Sequence, residues 1–283
     1  GPIRIGQGIE FDYASVHCVR ALKRLGYEVV IINNNPETVS TDFDTSDRLY
    51  FEPLTGEDVL NILELEKPCG VVVAFGGQTS IKLTKLLNEK GWRILGTSAD
   101  SIDMAEDRER FDELLESLKI KRPNGHTVMT AEAALKAAHD LTYPVLLRPS
   151  YVLGGQNMTI AHHDDDVSEY MGMILSQHIE NPVLIDKYIE GKEMEVDAIF
   201  DGSDLLIPGI MEHIERAGIH SGDSIAVYPA PHIDDTLAKR LVDTTRQLCA
   251  GLGAIGIVNA RGRLHGIQLV RGQANVFVVD ALV

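Results

Sequence analysis

Glu28-Val29-Val30-Ile31-Ile32-Asn33 decides the fold. A continuous apolar run closed by polar residues reads as a strand buried on both faces, the habit of parallel sheets. Upstream, Val16, Val19, Leu22 and Leu25 fall at helical spacing over residues 14–25, and Gly26 follows as a C-cap. Downstream the alternation repeats. A helix is predicted over 56–66, a strand over Gly70-Val71-Val72-Val73-Ala74-Phe75, a helix over 80–90 and a short strand over 93–96. Alternating helices and strands predict an open parallel α/β sheet. Residues 1–5 read as the end of a further strand whose beginning is missing.

The pattern then changes. Residues 101–119 read as one long charged helix, and Lys121-Arg122-Pro123-Asn124-Gly125 breaks it. The expected division is an α/β domain over 1–122 and a second domain over 123–283. In the second, helices are predicted over 131–141, 166–177 and 234–252. Strands are predicted over 144–148, 158–163, 183–189, 193–200, 205–211, 225–228, 267–270 and 276–280. Consecutive strands without intervening helices imply antiparallel pairing, hence an α+β domain.

Composition bounds the function. The chain has 283 residues, room for about two domains of ~150 residues. Its formal net charge of −16 argues against a general nucleic-acid binder, because phosphate contacts need clustered cations. No apolar run approaches the ~18 residues of a membrane span, so no membrane partner is expected. The start, Gly1-Pro2-Ile3-Arg4-Ile5-Gly6, does not read as a signal peptide. Cys18, Cys69 and Cys249 lie far apart in apolar segments, which predicts reduced, buried thiols and a cytoplasmic setting.

Four segments carry chemistry. Arg148-Pro149-Ser150-Tyr151-Val152-Leu153-Gly154-Gly155-Gln156 joins two strands through paired glycines. It reads either as a phosphate-gripping hairpin, with Arg148 beside it, or as a plain tight turn. Asp186-Lys187-Tyr188-Ile189, followed by Glu193-Met194-Glu195-Val196-Asp197, reads as a base and ribose clamp or as a solvated strand face. Residues 211–224 hold two histidines, three carboxylates and two glycines. That segment suits an active-site loop around a polyanion, with a zinc set of His213, His220 and Asp223 as the lesser alternative. Gln268 and Asp280 lie on the two closing strands, where they form either an oxygen-ligand pair for a divalent ion or a surface pair.

Taken together, these residues resemble the large chain of carbamoyl-phosphate synthetase. The resemblance begins at Gly6-Gln7-Gly8-Ile9-Glu10-Phe11-Asp12-Tyr13 and continues through residues 34–42, Gly76-Gly77-Gln78-Thr79 and Ala105-Glu106-Asp107-Arg108. Residues 148–155 and 211–224 extend it to about residue 258. The second, carbamate-phosphorylating half is the more similar. The resemblance implies a pre-ATP-grasp domain followed by an ATP-grasp domain. It implies MgATP (or the manganese form) and carbamate as ligands, and a place in arginine and pyrimidine biosynthesis. A glutaminase small chain and another synthetase half are the implied partners.

Residue by residue, the resemblance puts Arg108 and Arg148 on the nucleotide phosphates, with Gly154 and Gly155 closing over them. Asp186, Lys187 and Ile189 fall at the adenine hinge, Glu193 at the ribose, and Gly218, Ile219, His220 and Ser221 at the loop approaching the acyl phosphate. Arg148 and His220 are the implied catalytic residues, and Gln268 and Asp280 the implied metal ligands.

After Asn259 the chain departs from the family pattern. Residues 260–266 separate Asn259 from Ile267-Gln268. Asp280 stands where the family's Glu-x-Asn-Pro-Arg ending has its glutamate, and Leu282 stands at its asparagine. The expectation is an incomplete ATP-grasp end. Two alternative functions follow: a nucleotide-binding module without turnover, and a ligase acting on another carboxylic acid.

Overall fold

The structure, a computed structural model, describes residues 9–149, 158–176, 182–214, 225–265 and 268–271. The side chains of 9–11, 78, 108, 175–176, 261–265 and 268–271 lie outside that description.

The first part is built as helix–strand units. Helix α1 (Ile9–Arg24) leads through Gly26, whose φ of 88° suits a residue without a Cβ, into β1 (Val30–Ile32). Strand β1 pairs in parallel with β2 (Arg48–Tyr50). Helix α2 (Gly56–Glu66) has the bounds that its apolar spacing predicts. The Thr55 hydroxyl caps it by accepting from the Asp58 N–H. Helix α3 (Gly77–Glu89) follows. The strands expected at 70–75 and 93–96 are reduced to a single parallel bridge between Val71 and Ile94. Val59, Leu63, Val73, Leu87 and Ile102 form the core between these elements.

The long helix expected over 101–119 is two helices, α4 (Ala99–Glu106) and α5 (Arg108–Ser117). Asp107 breaks it. Its backbone is extended and its carboxylate accepts from the Arg110 N–H at 2.9 Å, so it ends one helix and caps the next.

Two antiparallel sheets follow. The first has the order β3-β6-β4-β5, with β3 (Gly125–Val128), β4 (Val145–Pro149), β5 (Thr159–Ala161) and β6 (Val183–Lys187). Helices α6 (Ala131–Leu141) and α7 (Asp164–Ser176) cover one face of it, with Ala134, Ala138, Val167, Met171 and Ile174 packed on Val145, Leu147, Val183 and Ile185.

The second sheet has the order β11-β10-β7-β8-β9: β7 (Lys192–Phe200), β8 (Leu205–His213), β9 (Ala226–Val227), β10 (Gly256–His265) and β11 (Gln268–Arg271). Helix α8 (Asp235–Leu252) packs against it. Strand β10 went unread in the sequence, because Gly256, Arg261, Gly262 and Arg263 are weak strand formers. Pairing with β7 from Gly256↔Phe200 to Leu264↔Lys192 overrides that propensity. The strand expected at 276–280 lies outside the described residues.

A seam joins the two parts. Met104, Ala105 and Leu114 pack on Cys249, Leu252 and Ala254, and Phe111 and Leu115 on Leu248. At its end the fully buried Thr97 hydroxyl accepts from the Ile255 N–H at 2.8 Å and donates to the Ile255 carbonyl at 3.2 Å. All three thiols are free, but only Cys18 and Cys249 are buried; Cys69 sits exposed in the turn after α2. No helix among the described residues is long and apolar enough to cross a membrane.

Thr97→Val keeps the side-chain shape and strips both bonds at the seam. Denaturant unfolding is expected to show a loss of about 1–3 kcal/mol, and an unchanged midpoint would mean that the seam is held by packing alone.

Candidate functional site

Each sheet of the second part has one helix-covered face, and Arg148, Asp186 and Glu193 lie on the faces turned away from the helices. On β4, Val145 and Leu147 point into the α6–α7 core, so Leu146 and Arg148 point the other way. Leu146 lies opposite Asp186 and Arg148 opposite Leu184, which sets Arg148 and Asp186 diagonally on one face. The Arg148 Nε lies 3.4 Å from the Asp186 Oδ2, with side-chain exposures of 22% and 14%.

Strand β6 ends at Lys187, where the chain leaves the ladder. The Lys187 N–H donates to the Asn124 carbonyl at 2.8 Å and the Tyr188 N–H to Pro144 at 3.1 Å. The next donor, the Ile189 N–H, has no partner among the described residues. The Lys187 side chain turns toward the C-terminal end of α6. Its Nζ donates to the carbonyls of Thr142 at 2.9 Å and Tyr143 at 3.1 Å. Its ammonium therefore does not join Arg148 in a common positive field. Lys187 lies opposite Val145, on the helix-covered side of the strand.

On β7 the alternation is strict. Met194, Val196, Ala198 and Phe200 are buried, while Glu193, Glu195 and Asp197 share the other face. Two neighbouring strands complete a polar chain there. The Asn259 amide on β10 donates at 2.7 Å to both Glu195 Oε1 and Asp197 Oδ1. The His213 Nε2 on β8 lies 2.7 Å from Glu195 Oε2. His213, one residue of the zinc reading, is thus engaged with Glu195 within the sheet. Of the other residues in that reading, His220 and Asp223 lie outside the described residues. Among the described residues no group of three His, Cys, Asp or Glu could hold a metal ion.

Of the carboxylates on this face, sequence reasoning gave a site role to Glu193 alone. The signal for the others was present in Glu193-Met194-Glu195-Val196-Asp197, where three carboxylates at period two must share a face. Of the remaining site residues, Arg108 opens α5, immediately after the cap Asp107, and Gln268 opens β11; both side chains lie outside the description. Gly154, Gly155, Gly218, Ile219, Ser221 and Asp280 also lie outside the described residues.

On the opposite side of the same sheet, Glu212 shares a face with Met194 and is almost wholly buried. It accepts from the Lys192 Nζ at 2.6 Å and from the His232 N–H at 3.1 Å, and the His232 Nδ1 lies 2.8 Å away. Burial pushes its carboxyl up, but the hydrogen bonds from Lys192 and His232 together outweigh burial and hold it below the ordinary carboxylate range.

Residues 1–104 match the family model of the carbamoyl phosphate synthase preATP-grasp domain. Residues 107–265 match that of the carbamoyl-phosphate synthase L chain, ATP binding domain. The carbamoyl phosphate synthase large chain of Clostridium botulinum (strain Kyoto / Type A2) is 58% identical over 280 residues, 99% of this chain and 26% of that protein. The large chain of Lachnoclostridium phytofermentans is 59% identical over the same shares. The chain thus spans about a quarter of the length of these curated relatives. Among solved structures, biotin carboxylase from Campylobacter jejuni superposes with a TM-score of 0.72 at 14% identity, covering 94% of this chain and 63% of that one. N5-carboxyaminoimidazole ribonucleotide synthetase from Thermotoga maritima gives 0.67 at 13% identity, covering 92% and 65%. At such identities the likeness is one of fold.

A depressed folded-state pKa means that the ionised Glu212 adds stability above its unfolded pKa. That contribution is lost as pH falls through the folded value. Glu212→Gln is therefore expected to unfold more easily at neutral pH, with the gap to the parent protein closing on acidification below the ordinary carboxylate range. A gap that stays constant across a pH series of unfolding curves would assign Glu212 no titrating role.

Proposed function

We propose that this chain, which belongs to the carbamoyl-phosphate synthase large-chain ATP-binding family, binds ATP and phosphorylates carbamate to carbamoyl phosphate as one part of a longer synthetase. The observation that carries the reading is the position of Arg148. Its guanidinium stands on the face of the β3-β6-β4-β5 sheet turned away from α6 and α7, at the end of β4 where Gly154 and Gly155 follow in sequence. Asp186 braces the Nε edge, which leaves the terminal nitrogens directed at a phosphate.

Ile189 supports the base contact, since its N–H stands just past the end of β6 with no described partner. An adenine edge is a fitting acceptor for such a donor. Glu193, on the polar face of β7, is the acceptor for ribose hydroxyls. Arg108, Gly218, Ile219, His220 and Ser221 complete the nucleotide and acyl-phosphate contacts in this reading, and the working unit is a domain over 1–122 followed by one over 123–283.

The chemistry is attack of a carbamate oxygen on the γ-phosphorus of ATP, with ADP as the leaving group. It calls for alignment and charge neutralisation, not for a protein nucleophile. Arg148 holds the phosphates, and closure of the Gly154–Gly155 segment excludes water. Magnesium or manganese, held by Gln268 and Asp280, would offset phosphate charge. Among the described residues no group of three His, Cys, Asp or Glu could hold the ion in their place. Carbamate comes from another synthetase half, ammonia from a glutaminase small chain, and the setting is cytoplasmic arginine and pyrimidine biosynthesis.

A second reading is a nucleotide-binding module without turnover. It is favoured by the altered closing sequence, in which Asp280 is one methylene short of glutamate and Leu282 cannot ligate.

Titration calorimetry with MgADP, and ATP synthesis from MgADP and carbamoyl phosphate, separate the two. Under the first reading the chain makes ATP, and Arg148→Ala lowers the rate by about 100-fold or more. Binding without turnover selects the second reading. A folded chain that gives no heat with MgADP defeats both.

A further inference from the structure

We infer, building on the reading that Arg108 meets the nucleotide, that Arg110 is a positioning residue for that contact. It braces the first turn of α5, and with it the backbone of Arg108, against α4.

The chain turns from α4 to α5 at one residue. The Asp107 N–H donates to the Asp103 carbonyl at 2.8 Å, and the Asp107 carboxylate accepts from the Arg110 N–H at 2.9 Å. Both bonds run through Asp107 itself, so they end one helix and start the next but leave the two free to swing about its φ and ψ. Packing limits the swing only farther along. Phe111 is the first described side chain of α5 to be buried, and it packs with Leu115 on Leu248 of α8. Ahead of it, Asp107 and Glu109 are exposed. Arg108 thus opens a turn that precedes the apolar contacts of its helix.

Arg110 supplies the brace. Its side chain reaches back across the break to α4, where Asp100 and Asp103 stand three positions apart and so share a face. One terminal nitrogen donates to Asp100 Oδ1 at 2.8 Å and the other to Asp103 Oδ2. Helix α4 is a firm anchor, since Ile102 enters the core of the first part and Met104 and Ala105 enter the seam. A single ion pair at such exposure contributes little. A planar guanidinium held at both terminal nitrogens by one helix face fixes direction as well as distance.

The corner is also acidic. Asp100, Asp103, Glu106, Asp107 and Glu109 place five carboxylates within ten residues. By charge alone they repel a polyphosphate, and removing any of them should favour its binding.

That opposition makes the test. The double variant Asp100→Ala, Asp103→Ala takes away two negative charges and leaves both arginines in place. Charge alone makes it bind MgADP more tightly than the parent chain. A brace makes it bind more weakly, by about 10-fold or more in calorimetric titration, and Arg110→Ala should match it. Arg110→Lys keeps the charge but not the fork, and is expected to bind nearly as weakly as Arg110→Ala. In an Arg108→Ala background, Arg110→Ala should cost little more, because it acts through Arg108. Without ligand, amide exchange in the double variant should speed at Arg110 and Phe111 and hold at Leu118, at the other end of α5. Equal or tighter MgADP binding by the folded double variant overturns the inference, as does parent-like binding by Arg110→Lys. So does a full further loss in the Arg108→Ala background, which would make Arg110 a direct ligand, and so does unchanged exchange at Arg110 and Phe111. A folded parent chain that gives no heat with MgADP is a different failure, since it removes the nucleotide reading itself.

Discussion

The second half of the chain depends on the period-two alternation of β7. Four apolar side chains, Met194, Val196, Ala198 and Phe200, go to the covered face, and three carboxylates go to the other. A slip of one residue would bury Glu193, Glu195 and Asp197 and expose the apolar set, so the register is strongly specified. Both flanking strands read off this choice. Strand β10 brings Asn259 opposite Asp197, and β8 brings His213 diagonally across from Glu195. The β7–β8 register shifts between Asp197 and Ile199, where β8 carries Ile207-Pro208. A proline that cannot donate to the ladder belongs at such an irregularity. The adjoining Gly209 leaves room for Tyr228, whose ring a Cβ would strike at 2.0 Å.

That alternation sets an electrostatic problem which the polar face solves locally. Three carboxylates on adjacent odd positions repel one another and any anion nearby. The Asn259 amide donates both of its hydrogens to two of them, and His213 meets the free oxygen of Glu195. The face is thereby rigid and still negative. A polyphosphate is better placed against the Arg148 sheet, with only neutral hydroxyl groups toward β7.

What the sequence made legible was set by local periodicity. Helices α2 and α6 have the predicted bounds, and β4, β6, β7 and β8 each lie within two residues of expectation. The failures have distinct physical causes. The single helix at 101–119 was read through Asp107, because its charged surface gives no periodicity break and the cap is visible only in the Asp107–Arg110 bond. Strand β10 is held by its neighbour against its own propensity. The motif around Lys187 does not show which face its side chain takes; that follows from its pairing with Val145. Cys69 lies next to an apolar run, and only the turn geometry shows it exposed.

The seam packs these parts against each other. Residues 121–125 look like a place to cut the chain, yet α4 and α5, which precede them, pack on α8, which follows by more than a hundred residues. Gly251 on α8 marks how close that approach is, since a Cβ there would come within 2.7 Å of the Leu118 side chain. Arg108 opens α5, so its backbone is fixed by packing against the helix that backs β7, the strand that carries Glu193. Arg108 is thus tied through two helices and a sheet to a strand far along the chain. Whatever shifts α8 on the sheet must also move the start of α5.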